Sequence, residues 1–143
     1  MDGALAFSLH ALTARLDRVA DRYLRAEQGV SYRRFLVLFM VERLDTPTQR
    51  ALADRLGVTE PSVSRMTAAL AGDGLLEVRA GPAGGNRREL RLTTAGRQLV
   101  RRCGQLLEDR FAALVRDSGV SYELYSQQTT QLLTALGAEE QTA

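Results

Sequence analysis

Arginine carries most of the chemical information in this sequence. All 19 basic residues of the 143-residue chain are arginine, and lysine is absent. A guanidinium group is a planar fork that matches phosphate oxygens and the hydrogen-bonding edge of guanine. Without lysine the chain has no phosphate-loop lysine, no Schiff-base lysine and no lysine general base. We also find no glycine-rich nucleotide fingerprint, nucleophile elbow or metal-ligand cluster, so the sequence predicts no enzyme, cofactor or metal site.

Two single residues invite a chemical role, and each has an ordinary structural alternative. Cys103 lies four residues after Leu99 and three before Leu106, which places it on the apolar side of a helix. Because a reactive thiol needs exposure and thiolate character, we expect a buried structural cysteine rather than a redox sensor. His10 is the only histidine and cannot anchor a histidine-rich metal site. We expect it on a helix surface or in a dimer interface.

A helix-turn-helix is predicted in the middle of the chain. Thr48 can cap a helix that stops at Gly57, and Thr59 can cap a second helix that stops near Gly72 or Gly74. The second helix of such a pair enters the major groove of DNA, with its early residues nearest the base edges.

The second helix of the pair has a narrow outward face built mainly of small residues. With Val63, Met66 and Leu70 inward, a turn of 100° per residue places Pro61, Arg65 and Ala68 outward, flanked by Ser62, Ser64 and Ala69. We predict that Arg65 contacts a guanine, and that Ser62 and Ser64 contact bases or phosphates. The alternative is that these small residues are simply good surface or capping residues of a helix.

A β-hairpin with a basic tip is predicted directly after this helix. Residues 76–79 and 89–92 alternate between aliphatic and charged residues, as half-buried strands do. Arg87 and Arg88 lie on a glycine-rich tip that cannot bury them, so they can enter the minor groove or meet phosphates. The full set of predicted DNA contacts is Thr48, Gln49, Thr59, Pro61, Ser62, Ser64, Arg65, Arg87 and Arg88.

Long helices flank the helix-turn-helix and the hairpin. The pattern predicts a first helix ended by Gly29, an apolar central helix over 31–44, a helix from Thr93 or Thr94 to about Arg116, and a last helix over 122–136. Residues from Ala138 onward are expected to fray. The first and last helices have apolar seams with spacings of four and three residues: Leu5, Leu9, Leu12, Leu16, Val19 and Tyr23, and then Tyr125, Thr129, Leu132 and Leu136.

These seams predict a homodimer, because they flank a compact lobe that needs neither of them to close its core. We therefore expect a mainly α fold with a small β-hairpin wing. The chain is expected to form a single domain over 1–143, in which a winged helix-turn-helix lobe at 30–97 is flanked by dimerisation helices at 1–28 and 98–143. Two copies would present two recognition helices to DNA half-sites about one helical turn apart.

Four aromatic residues allow two interpretations. Tyr23, Tyr32, Phe35 and Phe39 could line a ligand pocket between the dimerisation helices and the DNA-binding lobe, or they could be core aromatics. The core interpretation is better for Phe39, and the two are equally good for Phe35. The chain has no apolar run of the ~20 residues that span a bilayer and no signal-peptide pattern. Together with the single cysteine, this predicts a cytoplasmic location and no membrane partner.

The middle of the sequence resembles the MarR family of bacterial transcription regulators. The resemblance rests on QRALADRLGVTEPSVSR at 49–65, GLL at 74–76, and LRLTTAG at 90–96, which is similar to the leucine-x-leucine-threonine-x-x-glycine signature of the family. It is specific over residues 48–97 and covers the rest of the chain by helix order and length. It implies an obligate dimer that binds palindromic operators as a repressor relieved by a small-molecule effector or an oxidant.

The predicted wing departs from the family pattern at two positions. Family members usually have an aspartate and, two residues later, an arginine that lies seven positions before the threonine of the signature. Gly84 and Asn86 occupy these places here, and the arginines are displaced to Arg87 and Arg88. Either the hairpin has a different register or the aspartate that braces the wing arginine is lost. A winged helix that binds protein instead of DNA is the remaining alternative, but it predicts a neutral or acidic recognition face.

Overall fold

The computed structural model describes residues 4–81 and 87–142. These residues form six helices and a two-stranded antiparallel sheet, which confirms the predicted mainly α fold with a small β-hairpin. The chain divides into two compact units, one up to Gly104 and the other from Gln105. The elements are α1 (Leu5–Gln28), α2 (Tyr32–Leu44), α3 (Gln49–Leu56), α4 (Glu60–Gly72), β1 (Leu76–Ala80), β2 (Arg88–Leu92), α5 (Thr94–Asp117) and α6 (Tyr122–Thr142).

Capping residues explain where the central helices begin and end. Ser31, Thr48 and Thr59 precede α2, α3 and α4, and each side-chain oxygen accepts a hydrogen bond of 3.1 to 3.3 Å from the backbone N–H three residues later. Gly29 and Gly57 follow α1 and α3 with φ angles of 67° and 66°, a left-handed conformation that glycine adopts without steric cost. The helix boundaries inside the lobe therefore follow from local sequence.

The lobe closes its own hydrophobic core with one leucine from each of five elements. Leu38 of α2, Leu52 of α3, Leu70 of α4, Leu76 of β1 and Leu90 of β2 are all exposed by 2% or less. Each such side chain contributes about 1.5–3 kcal/mol relative to full exposure. This core holds α3, α4 and the hairpin in a fixed arrangement.

The hairpin is joined to the start of α3 as well as to itself. β1 and β2 pair antiparallel along their whole length, with Val78 opposite Leu90 at the centre. The backbone N–H of Leu90 donates to the carbonyl oxygen of Pro47 at 2.8 Å, and Thr48 forms an isolated bridge with Glu89. The segment that leads into α3 thus lies against the edge of β2.

The last helix is longer than the sequence predicted. Fraying was expected from Ala138, but α6 continues to Thr142. Its final residues include alanine, glutamate and glutamine, which are good helix formers, and no proline interrupts them. None of the helices in the described ranges is long and apolar enough to cross a bilayer.

Candidate nucleic-acid interface

The helix-turn-helix is built by α3, a short turn and α4. Gly57 and Val58 close the end of α3, and the backbone N–H of Val58 donates to the carbonyl oxygen of Ala53 at 3.1 Å. Thr59 then starts α4, and Pro61 lies in its first turn, where it displaces no intrahelical hydrogen bond. The predicted caps and stops are all found at the predicted residues.

The inward face of α4 differs at one position from the prediction. Val63 and Leu70 are fully buried as expected, but Met66 is only half-buried. Thr67, which the apolar pattern did not single out, is fully buried instead. Its hydroxyl donates to the carbonyl oxygen of Val63 at 2.9 Å, so the polar atom is satisfied within its own helix. The burial of Thr67 could have been predicted from its position, because it lies four residues after the inward Val63 and therefore on the same face of the helix.

The outward face of α4 has the composition that the sequence predicted. Pro61, Ser64 and Arg65 are exposed, and Ser62 is half-buried. Within the described residues Arg65 forms no ion pair and no hydrogen bond. Its guanidinium group is therefore free to bind an anionic or acceptor-bearing partner.

The cap residues can serve the helices and a phosphate at the same time. The Oγ1 atoms of Thr48 and Thr59 accept hydrogen bonds from Ala51 N and Ser62 N. A hydroxyl group has one donor and two acceptor sites, so each cap still has its O–H to donate. Both caps lie at helix N-termini, where the helix dipole favours an anion.

Gln49 lies in a position that limits its freedom to contact DNA. It is half-buried, and its Nε2 donates to Oγ1 of Thr67 at 3.3 Å. This hydrogen bond joins the first turn of α3 to the middle of α4. Since the amide is partly committed to the fold, we assign Gln49 a positioning role beside its predicted contact with DNA.

Arg88 begins β2 instead of lying in the predicted tip, and Arg87 directly precedes the strand. Arg87 and Arg88 are exposed, and neither has an ion pair among the described residues. Arg88 is paired with Ala80 in the ladder, and the carbonyl oxygen of Arg87 accepts from Gly81 N at 2.8 Å. Gly84 and Asn86, the positions of the family's wing aspartate and arginine, lie outside the described residues.

The outward face of β1 and β2 is charge-balanced. Glu77 and Arg79 form an ion pair at 2.6 Å, and Arg91 lies opposite Glu77 in the ladder. The uncompensated positive charge of the described wing is thus concentrated at Arg87 and Arg88. An anion that approaches the wing meets these two residues first.

The structure also gives the burial of the cysteine, the histidine and the aromatic residues that the sequence singled out. Cys103 is fully buried, as predicted, and burial raises the pKa of its thiol. Phe35 is buried and Phe39 is half-buried, with ring centroids 5.7 Å apart, so they act as core aromatics. Tyr32 lines a groove between α1 and the start of α2. His10 is exposed on α1.

The fold and this face define a winged helix-turn-helix protein. The sequence model of the MarR family matches residues 28–89. The HTH-type transcriptional regulator PetP of Rhodobacter capsulatus is 31% identical over 116 residues, which are 81% of this chain and 67% of that protein. The chain therefore belongs to the MarR family, and this membership confirms that it is a transcription regulator and not an enzyme.

Two solved structures of E. coli MarR have the same fold. The apo form of the wild-type protein aligns with a TM-score of 0.76 at 22% identity, over 92% of this chain and 96% of that chain. A mutant MarR complexed with operator DNA aligns with a TM-score of 0.75 at 22% identity, over 94% of both chains.

Proposed function

We propose that the protein is a homodimeric, sequence-specific DNA-binding regulator, and that it acts as a repressor whose operator binding is modulated by a small-molecule effector. The observation that carries the proposal is a set of exposed arginines at the winged helix-turn-helix, Arg65, Arg87 and Arg88, none of which forms an ion pair with another described residue. Membership of a regulator family and the likeness to a MarR that is complexed with operator DNA support it.

In this proposal α4 enters the major groove and the wing meets the adjacent backbone or minor groove. Arg65 reads a guanine, because its fork fits the O6 and N7 acceptors of that base. Ser62, Ser64 and Pro61 allow close approach, since their side chains are short. Thr48, Gln49 and Thr59 lie at the N-terminal ends of α3 and α4 and contact phosphates. Arg87 and Arg88 supply the charge of the wing.

The exposed leucines of the terminal helices support the dimer. On α1, Leu5, Leu9 and Leu12 are exposed by 73%, 39% and 37%, and on α6 Leu132, Leu133 and Leu136 are exposed by 60%, 64% and 54%. Apolar surface of this extent is unfavourable in water and marks an interface. A second copy with the same exposed seams is the simplest partner, and twofold symmetry would match a palindromic operator.

The groove beside Tyr32 supports modulation by an effector. It has a volume of about 770 Å³ and is lined by α1 and the first residues of α2. Burial and the neighbouring Asp17 carboxylate raise the pKa of Tyr32, so its phenol stays protonated at neutral pH. An effector that binds one arrangement of the dimer and DNA that binds another would each shift the population away from the other.

A fluorescence-anisotropy titration tests the proposal. The full chain is titrated against labelled DNA from its own upstream intergenic region and against a shuffled control, at two salt concentrations. Tight binding that prefers the native DNA and weakens at the higher salt is expected. Salt-sensitive binding with no preference would indicate an architectural DNA binder instead. Weak binding to both, and no enrichment of any fragment in a genome-wide selection, would favour the protein-interaction alternative.

A further inference from the structure

Thr93 joins the start of α5 to the turn that follows α4. It lies directly before α5 and caps that helix, because its Oγ1 accepts a hydrogen bond from the backbone N–H of Gly96 at 3.0 Å. The same hydroxyl donates to the carbonyl oxygen of Gly74 at 2.7 Å. The backbone N–H of Thr93 donates to the carbonyl oxygen of Leu75 at 3.2 Å. Thr93 therefore binds two consecutive carbonyl groups of the turn after α4.

Capping of α5 accounts for only one of these hydrogen bonds. Ser31, Thr48 and Thr59 also cap helices, but within the described residues their hydroxyls donate to no other element. A helix cap needs only an acceptor oxygen, so α5 can form without the hydrogen bond from the Thr93 hydroxyl to Gly74. This additional hydrogen bond acts on the end of α4 instead.

The turn after α4 is itself fixed to the end of that helix. The backbone N–H groups of Gly74 and Leu75 donate to the carbonyl oxygens of Ala71 and Leu70, each at 3.0 Å. Leu70 is fully buried, so the last turn of α4 is anchored in the core. On the α5 side, a Cβ atom at Gly96 would clash with the carbonyl group of Leu75, so the two backbones are in close contact. The end of α4 and the start of α5 thus have little freedom to move against each other.

α5 continues far beyond this contact, from Thr94 to Asp117. Its later residues fall within the part of the chain that the sequence predicts to hold two subunits together, and one of them, Leu114, is an exposed apolar side chain. In the proposed homodimer such contacts fix α5 relative to the second copy. Because Thr93 binds the end of α4 to the start of α5, the separation of the two copies of α4 then depends on the dimer contacts.

We infer that Thr93 is a positioning residue that sets the spacing of half-sites which the dimer accepts. This inference rests on the proposed function, in which the two copies of α4 enter major grooves about one helical turn apart. One inserted base pair moves a half-site by about 3.4 Å along the DNA axis and also rotates it about that axis. A dimer with rigidly held α4 helices loses contacts at one half-site after this change, whereas a dimer with loosened α4 helices adjusts to it.

Operators of altered spacing test this assignment with the full chain. An operator is first recovered from a random DNA library by in vitro selection with wild type, and one base pair is then inserted at its centre or deleted from it. Thr93→Val and Thr93→Ala remove the hydroxyl but keep the backbone hydrogen bond to Leu75, and Thr93→Ser keeps both groups. Ser31→Ala is the matched control, because it removes a helix cap that makes no hydrogen bond to α4. Urea denaturation shows that each variant is folded.

The quantity to compare is the factor by which each protein prefers the original operator to the two altered ones. We expect the same factor for wild type, Thr93→Ser and Ser31→Ala. In Thr93→Val and Thr93→Ala it should fall roughly 2- to 10-fold, which corresponds to the contribution of one hydrogen bond. The base preference inside each half-site should not change, since Thr93 is not among the predicted DNA contacts. A residue that only caps α5 would instead weaken binding to all three operators equally.

Each remaining outcome separates this inference from the proposed function. If both hydroxyl-free variants keep the wild-type preference for spacing, or if wild type has none, the inference is overturned while the proposed function stands. A reduced preference in Thr93→Ser or Ser31→Ala as well would overturn the assignment to the Thr93 hydroxyl. If in vitro selection with wild type recovers no operator, the proposed function fails and the inference falls with it.

Discussion

Gly96 lies against the carbonyl oxygen of Leu75 so closely that a Cβ atom on Gly96 would be 1.9 Å from that oxygen. Leu75 belongs to the turn after α4, and Gly96 belongs to the first turn of α5. Thr93 ties the same two segments: its hydroxyl donates to Gly74 O at 2.7 Å and accepts from Gly96 N at 3.0 Å. The end of α4 is thereby joined directly to the beginning of α5.

Substitution of Gly96 should loosen this joint. Gly96→Ala forces the backbone apart, because the atom it meets is a carbonyl oxygen and not a flexible side chain. We expect a loss of about 1–3 kcal/mol in the free energy of unfolding, measured by urea denaturation. Gly72→Ala is the control, since nothing lies within 4 Å of its Cβ position. If wild type and Gly96→Ala are equally stable, the backbone at Leu75 can move away from the added methyl group without loss of stability.

Arg65→Ala should lower both the affinity for the operator and its selectivity. Loss of a bidentate guanine contact costs ~1–3 kcal/mol and relaxes the preference at one base position of each half-site. Arg116→Ala, which removes an exposed arginine from the last turn of α5, should leave that preference intact. Titration against operators mutated one position at a time measures both properties. Retained selectivity in Arg65→Ala would refute its role as a base-reading residue.

The wing arginines should act through charge and not through base identity. Arg87→Ala and Arg88→Ala should each weaken binding to all sequences by a similar factor. If one phosphate contact is lost, the slope of log affinity against log salt should become shallower by about 1. Arg79→Ala is the matched control, because Arg79 lies on the same wing and is paired with Glu77. If the slope of log affinity against log salt is unchanged in both Arg87→Ala and Arg88→Ala, neither arginine contacts the DNA backbone.

Disruption of the α1 seam should separate the subunits. Leu12→Asp buries a charge in the proposed interface, whereas Ala14→Asp places the same charge on the opposite, exposed face of α1. We expect a mass near twice 15.7 kDa for wild type and Ala14→Asp in sedimentation velocity, and a smaller mass for Leu12→Asp. A monomeric wild type would contradict the dimer directly.

Cys103 should be chemically inert in the folded protein. Because burial raises its pKa, the thiol remains protonated and poorly nucleophilic at neutral pH. Alkylation should be slow in buffer and fast in urea, and peroxide should not change DNA affinity. As the pH rises above the ordinary pKa of 9.0, the thiol ionises in the unfolded chain before it ionises in the folded protein. The free energy of unfolding therefore falls over that alkaline range. Cys103→Ala should remove that alkaline component, and rapid alkylation in buffer would contradict the burial.

Residues that act within one or two turns were predictable from the sequence. Thr48 and Thr59 cap α3 and α4, and Gly57 ends α3, because caps and left-handed stops depend only on near neighbours. The outward position of Arg65 followed from helical periodicity in the same way. The roles of the predicted DNA contacts remain predictions, since they depend on a partner.

Other features depended on which segments meet in space. Periodicity placed Met66 inward, yet Met66 is half-buried, and Thr67, which accepts a hydrogen bond from Gln49 of α3, is buried instead. The need for glycine at position 96 comes from Leu75, which lies 21 residues earlier in the chain. The sequence alone thus determined the order of the elements, the ends of α3 and α4, and the outward position of Arg65. Only the tertiary structure decided which polar groups are buried and which backbones touch, because those properties are set by contacts between residues distant in sequence.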